Sequence, residues 1–268
     1  MNDPSLPVKR LMRRAFDRAA QRYDGAAVLQ RRVGVTLAAR LGAVPERIGC
    51  ILDAGSGTGH GTGLLRERYP AAWLLQLDIA FSMIAVGRDN QPNAAVVCAD
   101  VERLPLAGAR FDLVWCNLAL QWVEELRRAL MEMQRVLKPG GLLAFSTLGP
   151  DTLQELGRAF DGVDAFRHLN RFLSGSEVDA LLRACGYVDV SVEREPNVMG
   201  YGRVSELMRD LKAIGAHNVT RGRPGGLMGK TKWQRVEANY ERFRRDGMLP
   251  ATYEVIYVSA RKSEGPAR

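Results

Sequence analysis

Long apolar runs are missing from the sequence: no stretch approaches the ~18 uncharged apolar residues that a membrane-spanning helix needs. The opening residues, MNDPSLPVKRLMRRAF, contain no apolar segment that could act as a secretory signal. Their arginines resemble those of a transit peptide, but Asp3, Asp17 and Asp24 argue against one. We therefore expect a cytoplasmic protein that does not bind membranes.

Cysteine and histidine are scarce, with four cysteines and three histidines among 268 residues. The cysteines form no C-x-x-C pair, and three of them lie in or beside apolar runs, so we expect buried free thiols. The histidines His60, His168 and His217 lie far apart, which disfavours a histidine-based metal cage, and we expect no bound metal. A chain of this length, 46% hydrophobic and 25% charged, can bury a full core without disulfides or metal.

Short apolar runs alternate with helical patterns between about residue 48 and residue 193. In one helical pattern, Leu126, Leu130 and Met133 recur at helical spacing, and Ser174 with Glu177 predicts the start of a later helix through a capping box. Strands that are apolar throughout and separated by helices are typical of a parallel sheet covered on both faces. The predicted strands are 50–54, 73–77, 95–98, 113–116, 142–147 and 187–192, followed by a last strand at 252–259.

The segment CILDAGSGTGHGTGLL, residues 50–65, predicts a strand, a glycine-rich turn and a helix. Gly55, Gly57 and Gly59 permit a tight turn and close approach of a ligand to the backbone. The dinucleotide-binding fingerprint would require a glycine where His60 stands, and the lysine of a phosphate-binding P-loop is absent. Asp53, two residues before the first glycine, suits a cationic or hydroxyl-bearing ligand better than a pyrophosphate.

Two more acidic residues follow predicted strands. Asp78 ends the second strand, 25 residues after Asp53, where a carboxylate can accept hydrogen bonds from both ribose hydroxyls. Asp100 follows the third strand, where its loop can face an adenine. Each acid alone fits a solvated loop equally well, but three acids at the carboxyl ends of successive strands favour an adenosine site.

As a set, these features resemble the class I S-adenosylmethionine-dependent methyltransferases over about residues 48–150. The similar segments are the LDAGSGTG loop, the LQLD acid, CADVERLPL, FDLVWCNLALQW and the LKPGG turn. The resemblance implies a Rossmann-like α/β fold with a seven-stranded, mostly parallel sheet, and S-adenosyl-L-methionine as cofactor. It implies a methionyl subsite at Asp53, Gly55, Gly57 and Gly59, a ribose site at Asp78, an adenine site at Ile79, Met83, Asp100 and Val101, a sulfonium site at Asn117 and Leu118, and closure over the cofactor by Tyr23.

Positive charge flanks an acidic centre. The chain has 38 basic and 30 acidic residues; net charge is +6 over residues 1–49, −5 over 50–193 and +7 over 194–268. Such flanks form a solvated basic face or attract an acidic partner. We predict one catalytic domain, 1–268, whose core spans 48–150, 174–193 and 251–262. Basic, mainly helical cap elements then occupy 1–47, 151–173 and 195–250.

The predicted fold alone does not determine which molecule accepts the methyl group. The loop after the fourth strand reads Asn117-Leu-Ala-Leu120, without the proline and aromatic residue that base N-methyltransferases use to stack a flipped base. No cysteine follows a proline, as RNA cytosine C5-methylation would require, and Glu124-Glu125 begins a helix rather than the hairpin of protein arginine methyltransferases. These absences disfavour nucleic acid and arginine as acceptors without removing them.

Outside the core, the chain resembles the malonyl-[acyl-carrier protein] O-methyltransferases (BioC) of biotin synthesis. The similar segments are 15–33, 153–182, 207–223 and 249–260, so the resemblance spans most of the chain. It implies a monomeric enzyme that methylates the free carboxylate of a malonyl thioester on an acidic acyl-carrier protein, or of malonyl-CoA, with the basic cap as docking surface. The alternatives are a methyltransferase of another small-molecule carboxylate, a quinone precursor or RNA, and a non-catalytic cofactor-binding module.

A carboxylate with a pKa of about 4 is already ionised at neutral pH, so no general base is required. The enzyme must instead orient the carboxylate, a task for arginine. Candidate substrate-binding residues are Arg171, its polar neighbours His168 and Asn170, and the pair Arg209 and Lys212. Tyr23 and Arg171 are the predicted orienting residues, whereas Trp122 is expected to pack in the core.

Overall fold

The computed structural model describes residues 9–41, 48–164, 169–215 and 229–264. Its strands are β1 (Cys50–Ala54), β2 (Trp73–Asp78), β3 (Ala95–Cys98), β4 (Phe111–Asn117), β5 (Leu137–Leu148), β6 (Tyr187–Tyr201) and β7 (Leu249–Lys262). In this part of the chain they form a seven-stranded sheet of order β3-β2-β1-β4-β5-β7-β6. The first five strands are parallel, and β7 runs antiparallel to β5 and β6. The predicted Rossmann-like, mostly parallel sheet is confirmed.

Helices connect the parallel strands and extend the chain at both ends. They are α1 (Lys9–Ala26), α2 (Val28–Ala39), α3 (His60–Arg68), α4 (Phe81–Asn90), α5 (Leu126–Val136), α6 (Gln154–Phe160), α7 (Gly175–Ala184), α8 (Val204–Ala213) and α9 (Lys230–Glu241). The predicted capping box is present at the start of α7, because the Glu177 amide donates to the Ser174 hydroxyl and the Ser174 amide donates to the Glu177 carboxylate. Within the described residues, no helix has the length and apolarity to cross a membrane.

Two hydrophobic clusters pack on opposite faces of the sheet. Alternate residues of one strand enter different clusters: Ile51 joins the side covered by α2, α3, α6 and α9, and Leu52 joins the side covered by α5 and α7. Both side chains are fully buried. Burial on both faces explains why these strands are continuously apolar in sequence, and each large side chain contributes roughly 1.5–3 kcal/mol.

The predicted cap boundary at 195–250 is wrong at both ends. Residues 195–201 continue β6 and pair with β7 from Leu249 to Val255. Gly200 and Pro196 disfavour a strand locally, but β6 is an edge strand of the described sheet, where a proline without an N–H is tolerated, and it pairs with β7 along its whole length. The predicted LKPGG turn is also part of a strand: β5 begins at Leu137 and passes Gly140, whose φ of 71° marks an irregularity within it. The division into core and cap within one domain stays a prediction.

The cysteine prediction is correct for pairing and only partly correct for burial. All four thiols are free. Cys116 and Cys185 are buried, but Cys98 is exposed at the end of β3. The reason is that β3 forms one edge of the sheet and has a neighbouring strand on one side only.

Candidate functional site

The candidate site lies at the carboxyl ends of β1, β2 and β4. From β1 the chain continues to β2 on one side, while β4 pairs with the other side, and this reversal of strand order opens a crevice. Two cavities meet there, of about 650 Å³ and about 430 Å³. Tyr23, Gly55, Gly57 and Asn117 line both, so the two cavities share one wall.

The glycine loop between β1 and α3 contributes Gly55 and Gly57 to the shared wall. Gly55, Gly57 and Gly59 all have positive φ, which glycine adopts without strain. The amides of Gly55 and Ser56 donate to the carbonyl oxygen of Leu77 at 2.7 and 2.9 Å, which ties the loop to the end of β2. The predicted tight turn is therefore confirmed, and Gly59 forms the N-cap of α3 instead of lining either cavity.

Asp78 stands at the end of β2 and lines the larger cavity. Its Oδ2 accepts from the Gly57 amide at 3.0 Å, and its Oδ1 accepts from the Ala80 amide at 2.8 Å. These bonds fix the carboxylate and leave each oxygen able to accept again. Burial raises the pKa of Asp78 to about 6, against the lowering effect of those two amides.

Asp53 is the most deeply buried acid of the site, with 1% of its surface exposed, and it lines the smaller cavity. Its Oδ2 accepts a hydrogen bond from the Thr62 hydroxyl at 2.6 Å. Burial raises the pKa of Asp53 to about 7; the Thr62 bond opposes this rise and the charge of Asp78 adds to it. A buried carboxyl with a raised pKa favours a cation beside it, because a positive charge stabilises its ionised form.

Asp100 lines the larger cavity and is bound to α1. The ammonium group of Lys9 lies 2.5 Å from Asp100 Oδ2 and also forms an ion pair with Glu102. Burial opposes the charge on Lys9, but the hydrogen bonds from these two carboxylates prevail and raise its pKa. Lys9 therefore fastens the start of α1 over this end of the cavity.

Helix α1 forms an apolar wall that the sequence did not predict. Met12 and Phe16 line the larger cavity, and the Phe16 ring meets Trp122 edge-to-face at a centroid distance of 5.6 Å. The expectation that Trp122 packs in the core is wrong: it is half-buried and lines the cavity with Phe16. Tyr23 lies further along α1, and burial raises the pKa of its hydroxyl, which keeps it neutral.

Asn117 and Leu118 join the site from the end of β4. The Asn117 side chain donates to the Gln30 carbonyl oxygen of α2 at 2.9 Å and accepts from the Ser146 hydroxyl at 2.7 Å. Leu118 has a φ of 46°, a conformation that side-chain-bearing residues adopt rarely. Its amide donates to Ser146 Oγ at 3.0 Å, so the strained turn is held by the same serine.

The smaller cavity carries polar groups without partners among the described residues. The hydroxyl of Ser56, the indole NH of Trp115 and the amide oxygen of Gln30 are all buried and unpaired there. The guanidinium group of Arg31 lines the same cavity and donates to the carbonyl oxygen of Asp24. Unpaired donors and acceptors beside Asp53 and an arginine fit a ligand that bears both an ammonium and a carboxylate.

Most of the predicted cofactor residues surround these cavities, whereas the predicted substrate residues do not. Lining residues are Tyr23, Asp53, Gly55, Gly57, Asp78, Ile79, Met83, Asp100, Val101, Asn117 and Leu118. Asn170, Arg171, Arg209 and Lys212 line neither cavity. Arg171 is exposed, with its guanidinium 3.5 Å from the Glu177 carboxylate. His168 lies outside the described residues.

Comparison with known proteins agrees with this geometry. The family model described as a methyltransferase domain matches residues 52–145. A malonyl-[acyl-carrier protein] O-methyltransferase of Laribacter hongkongensis is 51% identical over 94% of this chain and 89% of its own length. One of Gallionella capsiferriformans is 48% identical over 95% of this chain and 91% of its own. This chain belongs to that family. It is accordingly a methyltransferase enzyme that depends on S-adenosylmethionine.

Solved structures support the fold assignment for this family member. The YcgJ protein of Bacillus subtilis has a TM-score of 0.62 at 18% identity, covering 86% of this chain and 99% of that one. Phosphoethanolamine N-methyltransferase 2 of Haemonchus contortus, solved with S-adenosyl-L-methionine, has a TM-score of 0.57 at 15% identity, covering 92% of this chain and 57% of that one. At such low identity the likeness concerns the fold alone.

Proposed function

We propose that this enzyme transfers the methyl group of S-adenosylmethionine to the free carboxylate of a malonyl thioester carried by an acyl-carrier protein. The observation that carries the proposal is the pair of cavities joined at the glycine loop, with buried acids in both, in a chain 51% identical to a malonyl-[acyl-carrier protein] O-methyltransferase. The place in biotin synthesis that the sequence resemblance implies belongs to the same proposal.

The residues of the two cavities fit the cofactor in complementary ways. Asp78 would accept both ribose hydroxyls, since each of its oxygens retains a free lone pair. The ammonium end would lie against Asp53, with the unpaired groups of the smaller cavity around it. Asp100 and the apolar residues Ile79, Met83 and Val101 would hold the adenine in the larger cavity.

When bound, the cofactor supplies an electrophilic methyl group on a positively charged sulfur. The chain's contribution is to hold a carboxylate in line with that methyl and to exclude water. Orientation of this kind lowers a barrier by several kcal/mol, up to roughly 7–11. Phe16, Trp122 and Leu118 provide apolar walls, and charge neutralisation between an anion and a sulfonium is favoured in such surroundings. No side chain is required as a base, because the substrate is already ionised.

The carboxylate clamp stays a prediction. Arg171 and its neighbour Asn170 line neither cavity, and Arg209 and Lys212 are exposed on α8. Arg171 would therefore have to leave Glu177, an exposed pairing that costs little to break. An Arg171→Ala variant that methylates malonyl substrates at the normal rate would remove it from the proposal.

The deciding experiment measures transfer of a labelled methyl group from the cofactor to three acceptors: malonyl-acyl-carrier protein, malonyl-CoA and total RNA. We expect label on the malonyl thioesters and none on RNA, with release of the label by mild esterase treatment. The Asp78→Ala variant is the control, since it loses the ribose acceptor and should transfer less label at a limiting cofactor concentration. Label on RNA, or on no acceptor while the cofactor binds, would contradict the proposal.

A further inference from the structure

The outer surface of α1 carries an unusual concentration of positive charge. Its five arginines are exposed: Arg10, Arg13, Arg14, Arg18 and Arg22. Four of them recur every fourth residue and so follow one another along the helix. The two acids of the helix are engaged with the core, because Asp17 accepts from the Ser82 amide at 2.9 Å and Asp24 accepts from the Thr58 hydroxyl at 2.5 Å.

None of these five arginines has a carboxylate partner among the described residues. Some other surface arginines do pair within their own helices, as Arg135 does with Glu132 and Arg183 with Asp179. The α1 guanidinium groups make no ion pair of this kind within the described ranges. Their charge is therefore not neutralised locally, and it remains available to an anionic partner.

Helix α1 lies between this positive surface and the larger cavity. The opposite face of the helix supplies Met12, Phe16 and Tyr23 to the cavity wall. The arginine surface is thus separated from the cavity by about one helix diameter, roughly 10–12 Å with side chains. The end of α8 packs against the middle of α1, since a Cβ on Gly215 would lie 3.2 Å from the Phe16 ring.

We propose that the five exposed arginines of α1 form the surface on which an acidic carrier protein docks to deliver its malonyl thioester. This inference rests on the proposed function and places docking on the N-terminal helix instead of the basic stretch 195–250. A single helix separates the surface from the cavity, so an arm of modest length can carry the thioester around it.

The composition of the surface favours an acidic protein over the other polyanions. No aromatic side chain is interleaved with the arginines on the outer face, whereas single-stranded nucleic acid binding uses such stacking platforms. Leu11 is the exposed large apolar residue of α1, at 42%, and one such side chain gives no face to insert into a membrane. An acidic protein surface requires only charge complementarity, which arginine forks supply in bidentate form.

The test compares two charge-reversal pairs that change net charge by the same amount. Arg14→Glu with Arg18→Glu alters α1, and Arg242→Glu with Arg245→Glu alters exposed residues between α9 and β7. Each variant is assayed with malonyl-acyl-carrier protein and with malonyl-pantetheine, which has the thioester arm without protein or phosphate. We expect the α1 pair to lower kcat/KM for the carrier protein about tenfold at low salt, with the loss shrinking as salt is added. Turnover of malonyl-pantetheine should stay within twofold.

Several outcomes would overturn the inference. These are unchanged carrier-protein kinetics, equal losses from both pairs, or equal losses on both substrates. Cofactor affinity reports correct folding, and the milder Arg14→Gln with Arg18→Gln pair is measured in parallel, with a smaller loss expected in the same direction. Altered binding of RNA or of phosphatidylserine vesicles with normal carrier-protein kinetics would assign the surface to those partners instead. If wild-type enzyme methylates neither malonyl substrate, the proposed function itself fails.

Discussion

Lowering the pH from 7.5 to 5.5 is expected to weaken binding of S-adenosylmethionine, because Asp53 then becomes protonated. Asp53 is almost fully buried, and burial raises its pKa to about 7. An ammonium group placed beside it favours the carboxylate form, so binding must lower this pKa and release a proton near neutral pH. At lower pH the proton has to be removed at a free-energy cost before the ligand can be held.

The expected magnitude follows from linkage. With a pKa of about 7 in the free protein and a carboxylate that stays ionised in the complex over this pH range, the dissociation constant rises about 25-fold between these pH values, or about 2 kcal/mol. The free protein should show the corresponding trend in stability. Because the folded pKa lies above the unfolded one, the folded state holds more protons between about pH 4 and 7. Its free energy of unfolding therefore falls as pH rises through that window.

Calorimetric titration with the cofactor at three pH values, in two buffers of different ionisation enthalpy, measures both affinity and proton release. Asp53→Asn should bind less tightly at pH 7.5 and keep only a smaller pH dependence, contributed by Asp78, whose pKa burial raises to about 6. Asp112→Asn is the control, since burial opposes ionisation of Asp112 but hydrogen bonds from Lys138, Cys50 and Gly49 prevail and lower its pKa. Equal affinity at pH 5.5 and 7.5 in the wild type, or an unchanged slope in Asp53→Asn, would refute the reasoning.

Three further changes have defined outcomes. Asp78→Ala should weaken cofactor binding by about 1–3 kcal/mol in calorimetry, through loss of a charged acceptor; unchanged affinity would exclude the ribose role. Lys9→Met should raise the cofactor dissociation rate severalfold in stopped-flow measurements, because α1 loses its two ion pairs; an unchanged rate would show that the start of α1 does not retain the ligand. Gly55→Ala should lower the melting temperature more than Gly57→Ala, since the new Cβ would lie 2.4 Å from that of Ala119 against 3.9 Å from Tyr23; equal shifts would contradict this.

The central strands and the polar half of the site could be predicted because their signals are local. β1, β2 and β4 are buried on both faces, so their sequences are mostly apolar, and Asp53 and Asp78 mark the ends of β1 and β2. The carboxyl ends of parallel strands meet at one edge of a sheet, and this brings Asp53 and Asp78 together without further information. The three glycines then fix where the backbone leaves that edge.

The apolar wall of the cavity could not be predicted in the same way. The spacing of Met12, Phe16 and Tyr23 makes α1 amphipathic, but an amphipathic helix fits many apolar surfaces equally well. What selects this surface is a set of long-range contacts: Lys9 with Asp100, Asp17 with the start of α4, and Phe16 with Trp122. Each contact joins residues more than sixty positions apart, and the sequence around one residue does not indicate which residue it contacts.

The same long-range packing explains why counting charges along the sequence does not predict which part of the folded surface stays positive. Sequence counting assigns comparable positive charge to both flanks, and it cannot tell which arginines will be neutralised. In the folded chain, Arg244 pairs with Glu241 and Arg40 pairs with Glu193 and Glu195, whereas the arginines of α1 find no such partner among the described residues. The acids beside them in sequence, Asp17 and Asp24, are turned to backbone and hydroxyl donors of the core. Folding therefore concentrates unpaired charge on the helix that covers the cavity, which is where a substrate bound to a protein must approach.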